Sequence, residues 1–229
     1  MSSFTDVRCV VFDLDDTLWP CEPTILNAEN ALYEWLGDNY SKITNRYSLQ
    51  EIRNHRQEYA VRNKNISHDV TALRLGSLEE LALQFAYPKS MAHEGLALFR
   101  RYRNKVVFYD DSLSTISALS KKFQIGAISN GNADIEAIGA SHYFDFFITA
   151  EQAGAAKPDI EIFEYAQQKT SFSYDQLLYV GDHPSIDIVG ANQSGWRSIW
   201  FNPNQNPWPE LGTEPDAQIQ KLSELLNLL

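Results

Sequence analysis

Four times in this chain a short apolar run breaks off at a polar or acidic residue. Cys9-Val10-Val11-Phe12 ends in Asp13, and Phe123 to Ile128 ends in Ser129-Asn130-Gly131. Phe146-Phe147-Ile148 ends in Thr149, shortly before Lys157-Pro158, and Leu177 to Val180 ends in Gly181-Asp182. Unbroken apolar runs of this length are how strands buried on both faces read. Ser198 to Phe201 reads as a last strand of the same kind. Helical patterns lie between the runs. Leu113, Ile116 and Leu119 share one face, and so do Ile162, Tyr165 and Ala166, with Pro158 suited to the first turn of that second helix. Strands alternating with helices imply an α/β fold with a parallel sheet.

Residues 20–107 carry a different pattern. Ile25, Ala28, Leu32 and Trp35 recur at helical spacing, as do Val70, Leu73, Leu78, Leu81 and Leu83, and then Leu96, Phe99 and Tyr102. Ser48 with Glu51, and Ser77 with Glu80, match the Ser-x-x-Glu capping box. The pattern predicts about four helices and no strand. The expected organisation is a core of residues 1–19 and 108–229 interrupted by an all-helical insertion, 20–107. Residues 202–215, with four prolines, read as a loop.

Composition narrows the partners. Apolar residues make up 44 % of the chain and aromatics 12 %, enough for a sizeable core, so disorder is excluded. The net charge of −11 disfavours nucleic acid, whose affinity comes from Lys and Arg on phosphates. A phosphorylated small molecule remains compatible if positive charge gathers at its site. Residues 1–8 are too short and polar for a targeting signal, and no stretch has membrane-span length. Two cysteines, Cys9 and Cys21, form neither a disulfide framework nor a zinc site, which fits a reducing cytoplasm. Nothing in the pattern specifies an oligomeric state.

In open α/β sheets ligands bind beyond the carboxyl ends of the strands. Asp13, Asp15, Ser129, Asp182 and Asp187 fall at those ends, and Lys157 follows another strand. Asp13 can attack phosphorus as a carboxylate nucleophile. Asp15 shares its face in an extended stretch, so it can protonate the leaving oxygen and later deprotonate water. Thr17 can fix the turn with its hydroxyl. So many carboxylates facing a phosphate need a cation, and oxygen ligands point to Mg²⁺. The Asp13 and Asp182 carboxylates and the Asp15 backbone carbonyl are the expected ligands. Asp187 can hold a metal-bound water or orient Lys157. Ser129, the amides of Asn130 and Gly131, and Lys157 can hold the phosphoryl oxygens.

These residues resemble the four motifs of the haloacid-dehalogenase-like hydrolase superfamily: Asp13 to Leu18, Ser129-Asn130-Gly131, Lys157-Pro158, and Gly181-Asp182 through Asp187. The resemblance implies a Rossmann-like core with a helical cap inserted after the first strand, and Mg²⁺-dependent phosphatase activity through a phospho-aspartate. Phe12 to Leu18, His68-Asp69-Val70-Thr71 and Ala127 to Ala133 are similar to a bacterial subgroup that hydrolyses flavin mononucleotide and a phosphoribitylamino-uracil of the riboflavin pathway. The founding dehalogenases lack the acid two residues after the nucleophile and need no metal, so Asp15 argues against dehalogenation.

Three residues of the insertion, His68, Asp69 and Arg74, are candidates for reading the substrate. The plainer alternatives are a helix start for His68 and Asp69, and a solvated helix face for Arg62 and Arg74. His183 reads as a solvated loop histidine beside carboxylates, and Trp19 as packing where the insertion leaves the core or as a stacking surface. The insertion is expected to act as a lid over the strand ends. A receiver-type signalling domain would also use strand-end carboxylates, Lys and Mg²⁺. It would have no reason for Asp15 and no helical insertion. A phosphomutase shares all four motifs and differs in its product, and a sugar phosphate is an alternative substrate.

Overall fold

The apolar runs become neighbouring strands of one sheet in the computed structural model, which describes residues 4–229. Met1 to Ser3, the start of the segment read as too short for a targeting signal, lie outside the described residues. The strands are β1 (Cys9–Phe12), β2 (Gln124–Ser129), β3 (Phe146–Thr149), β4 (Leu177–Gly181), β5 (Arg197–Phe201) and β6 (Ala217–Ile219). They lie in the order β3-β2-β1-β4-β5-β6, every pairing parallel. The sequence reading stopped at β5. β6 was missed because it is three residues long and follows the proline-rich loop.

Phe12 pairs with Ala127 on one side and Val180 on the other. β1 is thus flanked at its end by β2 and β4; the chain runs from β1 to β2 on one side and returns from β3 to β4 on the other. That is the switch point where α/β sheets bind ligands. Val11, Ile128, Ile148 and Tyr179 pack under helical residues Ile162, Phe163 and Ala166 and under Trp196, which precedes β5. Such burial contributes about 25 cal/mol per Å² of apolar surface removed from water.

The chain divides into two units. One takes the chain up to Pro20, Val107–Gly131 and Gly139–Leu229; the other takes Cys21–Val106 and Asn132–Ile138. The segment 132–138 was read as core by sequence. In the structure Asp134 N donates to Asn104 Oδ1 (3.0 Å) and Asn132 Nδ2 to Thr71 Oγ1 (3.4 Å), both in the helical unit. In the core unit, Tyr109 N and Ser112 Oγ both donate to Leu18 O at 2.9 Å, and Trp19 packs edge-on against Phe108. The stretches before and after the insertion are thus tied side by side, with Trp19 in a packing role.

The insertion itself has five α-helices rather than about four: α1 (Cys21–Asn39), α2 (Ser41–Arg46), α3 (Leu49–Arg62), α4 (Val70–Gln84) and α5 (Ser90–Arg103). The Ser48–Glu51 capping box is formed at the start of α3. The Ser77–Glu80 box is not formed. Asp69 caps α4 by accepting from Ala72 N (2.7 Å), and Ser77, in mid-helix, bonds back to Arg74 O. Leu83 is also corrected: it is 83 % exposed, because two positions past Leu81 is the opposite side of a helix, and Ala82 takes the buried place. α6 (Ser112–Leu119) buries Ile116 and Leu119 as expected. Pro158 lies in a turn ahead of the helix Ile160–Gln167 rather than in its first turn, and the Lys157–Pro158 peptide is cis. No helix among the described residues is long and apolar enough to cross a membrane.

Candidate active site

Asp13 N donates to Val180 O (2.9 Å), which carries the β1 pairing one residue past the strand and sets Asp13 at its tip. The chain then turns back on itself, with Asp16 N donating to Trp19 O and Asp16 at φ +62°. Aspartate tolerates that left-handed conformation through local side-chain bonding. Asp16 is therefore a turn residue. Trp19 Nε1 donates to Asp15 Oδ1 (2.8 Å), which fixes the Asp15 carboxylate. Thr17 is buried, and its hydroxyl reaches Asp182 Oδ1 (3.3 Å) instead of closing its own turn.

From the end of β4 the chain passes Asp182 and enters a wide π-type turn, Pro184–Ile188, which brings Asp187 back toward the sheet. Turns of this kind cluster at functional sites. Asp187 Oδ2 accepts from His183 N (3.0 Å). A Cβ at Gly181 would sit 2.5 Å from Asp187 Cγ, so only glycine lets that carboxylate approach. His183 is exposed, and its Nδ1 accepts from Ile186 N, a capping role.

From the other side, the Asn130 side chain grips the Lys157 backbone with two 2.8 Å bonds, Lys157 N to Oδ1 and Nδ2 to Lys157 O. Gly131 N donates to Ser129 Oγ (2.9 Å). Lys157, 4 % exposed, places its ammonium at the centre. Nζ donates to Asp13 Oδ1 (2.6 Å), Asp187 Oδ1 (2.6 Å) and Tyr179 OH (2.7 Å). An ammonium has three donors, so all of them are in use. The sequence reading missed Tyr179. Its signal was there: a tyrosine inside an otherwise aliphatic buried strand must find a partner for its hydroxyl, and this one also donates to Ile128 O (3.2 Å).

Electrostatics identify what the cluster lacks. Burial raises the Asp13 carboxyl well above its ordinary range; Lys157 opposes this, and Asp187 and Asp182 add to it. Burial, then Asp187 and Asp16, push Asp182 up to about 7. Burial alone would lower Lys157, but Asp13 and Asp187 outweigh it and hold it charged. The site is thus short of positive charge. Asp13, Asp182 and Asp187 each offer an oxygen, all within 4.8 Å of one another, a donor set suited to a hard divalent ion. Both Asp187 oxygens are already engaged, which leaves Asp13 and Asp182 as the better ligands.

A pH dependence follows for the metal-free protein. Raised carboxyl pKa values mean that the folded state holds protons the unfolded chain has released. Asp182 should therefore destabilise the fold progressively as pH rises from its ordinary 3.8 toward about 7, and Asp13 acts in the same direction. Melting temperature measured in chelator should fall across this range more in wild type than in Asp182→Asn. Equal slopes would mean that Asp182 is not strained by its surroundings.

The four sequence motifs thus converge at one end of one sheet. The chain belongs to the haloacid dehalogenase-like hydrolase family, whose pattern matches residues 7–195. It is 28 % identical to the 5-amino-6-(5-phospho-D-ribitylamino)uracil phosphatase YigB of Escherichia coli, over 97 % of this chain and 96 % of that one. It is also 28 % identical to a glyceraldehyde 3-phosphate phosphatase of Methanopyrus kandleri, over 97 % of each. Among solved structures, a 2-haloacid dehalogenase from Pseudomonas syringae pv. Tomato superposes with a TM-score of 0.91 at 34 % identity, over 97 % of each chain.

The residues expected to read the substrate have different surroundings. Arg74 is buried rather than solvated: it pairs with Glu29 (3.6 Å) and lies over the Phe99 ring. Asp69 is the α4 cap. His68 is half-buried. Arg62 is exposed and pairs with Glu80.

Proposed function

We propose that this protein is a Mg²⁺-dependent phosphomonoesterase acting on a small phosphorylated metabolite through a phospho-aspartate on Asp13. The observation that carries the reading is the Asp15 carboxylate, pinned by Trp19 two residues beyond a lysine-held Asp13. Asp13 attacks phosphorus; the Asp13–phosphorus bond forms as the ester bond breaks, and Asp15 gives its proton to the leaving oxygen. The Asp15 carboxylate then takes a proton from water, which attacks phosphorus and returns Asp13 and free phosphate. Lys157 has no spare donor, so it acts first through its charge, opposing the burial that favours a protonated Asp13 and favouring a bound anion. The Ser129 hydroxyl, which accepts from Gly131 N and keeps its own proton to donate, and the Asn130 amide are the groups left to hold phosphoryl oxygens; the Gly131 amide joins them by giving up its bond to Ser129. Asp13 and Asp182, with the Asp15 carbonyl, would hold Mg²⁺, whose charge offsets the repulsion between carboxylates and phosphate.

We infer further that the substrate is flavin mononucleotide or a phosphoribityl intermediate of the riboflavin pathway. The likeness to YigB along the whole chain supports this; the likeness to a glyceraldehyde 3-phosphate phosphatase supports a sugar phosphate instead. Phosphate release should be measured on a panel of these esters with and without Mg²⁺. Chelator should abolish release, and the ribityl phosphates should give the highest kcat/KM. His68→Ala should reorder the panel more than it lowers turnover of acetyl phosphate. Preference for a sugar phosphate would overturn the ribityl assignment and leave the phosphatase standing. The similarity to a 2-haloacid dehalogenase raises a second reading. Halide release from 2-chloropropionate, without metal and without phosphate release from any ester, would establish it against the role given to Asp15.

A further inference from the structure

Three arginines and one carboxylate meet in a cleft wholly within the helical unit. Glu29, on α1, is almost fully buried. Arg53 Nε donates to Glu29 Oε2 at 2.5 Å, and Arg56 and Arg74 reach Oε1 at 3.4 and 3.6 Å. Arg53 and Arg56 come from α3 and Arg74 from α4, so three helices aim these groups at one point. Tyr33, Leu36, Leu49 and Ile52 are among the other residues that line it. The enclosed space is about 20 Å³, more than the ~10–15 Å³ one water needs, and it opens to solvent.

Charge does not balance here. Three guanidiniums face one carboxylate in a chain of net charge −11. After burial, the repulsion from Arg56 is the largest influence that lowers the Arg74 guanidinium, to about 9. Arg56 Nε is buried with no hydrogen-bond acceptor among the described residues. A buried donor left unmet is destabilising, so an acceptor that reaches it is favoured. Natural chains seldom gather excess arginine in a half-apolar cleft without an acceptor to use it, because guanidinium forks match oxyanions.

We propose that this cleft binds a small oxyanion, a carboxylate or phosphate group, held between Arg53, Arg56 and Arg74 in competition with Glu29. This site shares no residue with the strand-end carboxylates, and the proposal does not depend on the reaction they perform.

Two substitutions move binding in opposite directions. Arg56→Gln removes the unmet donor and one charge. Glu29→Gln removes the internal competitor while keeping the side chain's shape. Binding of acetate, benzoate and inorganic phosphate should be followed by calorimetry on the metal-free full chain at constant ionic strength, with chloride as the control. Wild type should bind an oxyanion more tightly than chloride. Arg56→Gln should weaken it at least about tenfold, the effect of losing one charge-assisted bond of ~1.5 kcal/mol or more. Glu29→Gln should tighten it several-fold. If Glu29→Gln does not fold, the Arg56 variant, whose side chain is partly exposed, still decides. Acetate or benzoate binding that responds to Arg56 while phosphate does not would assign a carboxylate; the reverse would assign phosphate. Equal binding by wild type and Arg56→Gln would overturn the proposal. So would phosphate binding that ignores Arg56 and vanishes in Lys157→Met, which would place the anion at the strand ends.

Discussion

Asp13→Asn should stop turnover while leaving the protein folded. The carboxamide keeps the shape of the side chain but cannot form the acyl phosphate, and loss of a covalent nucleophile costs at least about 10⁴-fold. Removing one partner of a buried ion pair usually destabilises, because the other charge is stranded. Here Lys157 keeps Asp187 and Tyr179, and the carboxamide oxygen can still accept its bond. The substitution also removes a charge that burial and two neighbouring carboxylates disfavour. These effects oppose each other, so the melting temperature should change little. Initial rates on an aryl phosphate and a thermal melt read the two quantities separately. A well-folded variant with turnover within tenfold of wild type would show that phosphorus is not attacked by Asp13.

The sheet was legible because its strands are buried on both faces. Val10, Val11, Leu178 and Val180 need no polar side, so the runs stand out and their ends mark the strand tips. β6 was not legible, because three residues carry too little pattern. In the helical unit periodicity located the helices but not all their ends. Ser48 and Ser77 carry the same four-residue signature, yet only Ser48 stands where a helix begins. The difference lies upstream: Asp69 had already capped α4, and a capping box read from sequence carries no knowledge of an earlier start.

The placement of the candidate site was legible where a residue directly follows or ends a strand, at Asp13, Ser129 and Asp182, and at Asp15 two residues beyond Asp13. Support that crosses long sequence distances was not. Thr17 reaches Asp182 and Asn130 clamps Lys157, and nothing in the local sequence names the distant partner. Tyr179 stands opposite Val11 in the register of β4 on β1, but which face a central-strand side chain takes depends on packing. Arg74 shows the converse. A charged residue on a helix is expected in solvent, and only the tertiary arrangement reveals the carboxylate and aromatic ring that let it be buried.

Asp15→Asn should lower turnover by roughly 10²–10⁴-fold, the range for general acid–base catalysis. The structure makes this a clean test. The amide oxygen can still accept the Trp19 Nε1 bond, and the backbone carbonyl of residue 15 is unchanged, so geometry and metal ligation should survive. Only proton transfer is removed. The loss should therefore depend on the leaving group. An alkyl phosphate must have its oxygen protonated as it departs, whereas an aryl phosphate leaves as a stable anion. Rates of phosphoenzyme formation, measured as a burst of phenol or alcohol, should fall far more for the alkyl ester. Hydrolysis of the phosphoenzyme should be slow for both, because water has lost its base, so an aryl substrate should leave the variant phosphorylated. Labelled phosphate retained on the denatured variant after an aryl ester, and little after an alkyl ester, is the expected outcome. Equal bursts with equal retention would show that Asp15 does not transfer the proton, and that its bond to Trp19 serves the fold alone.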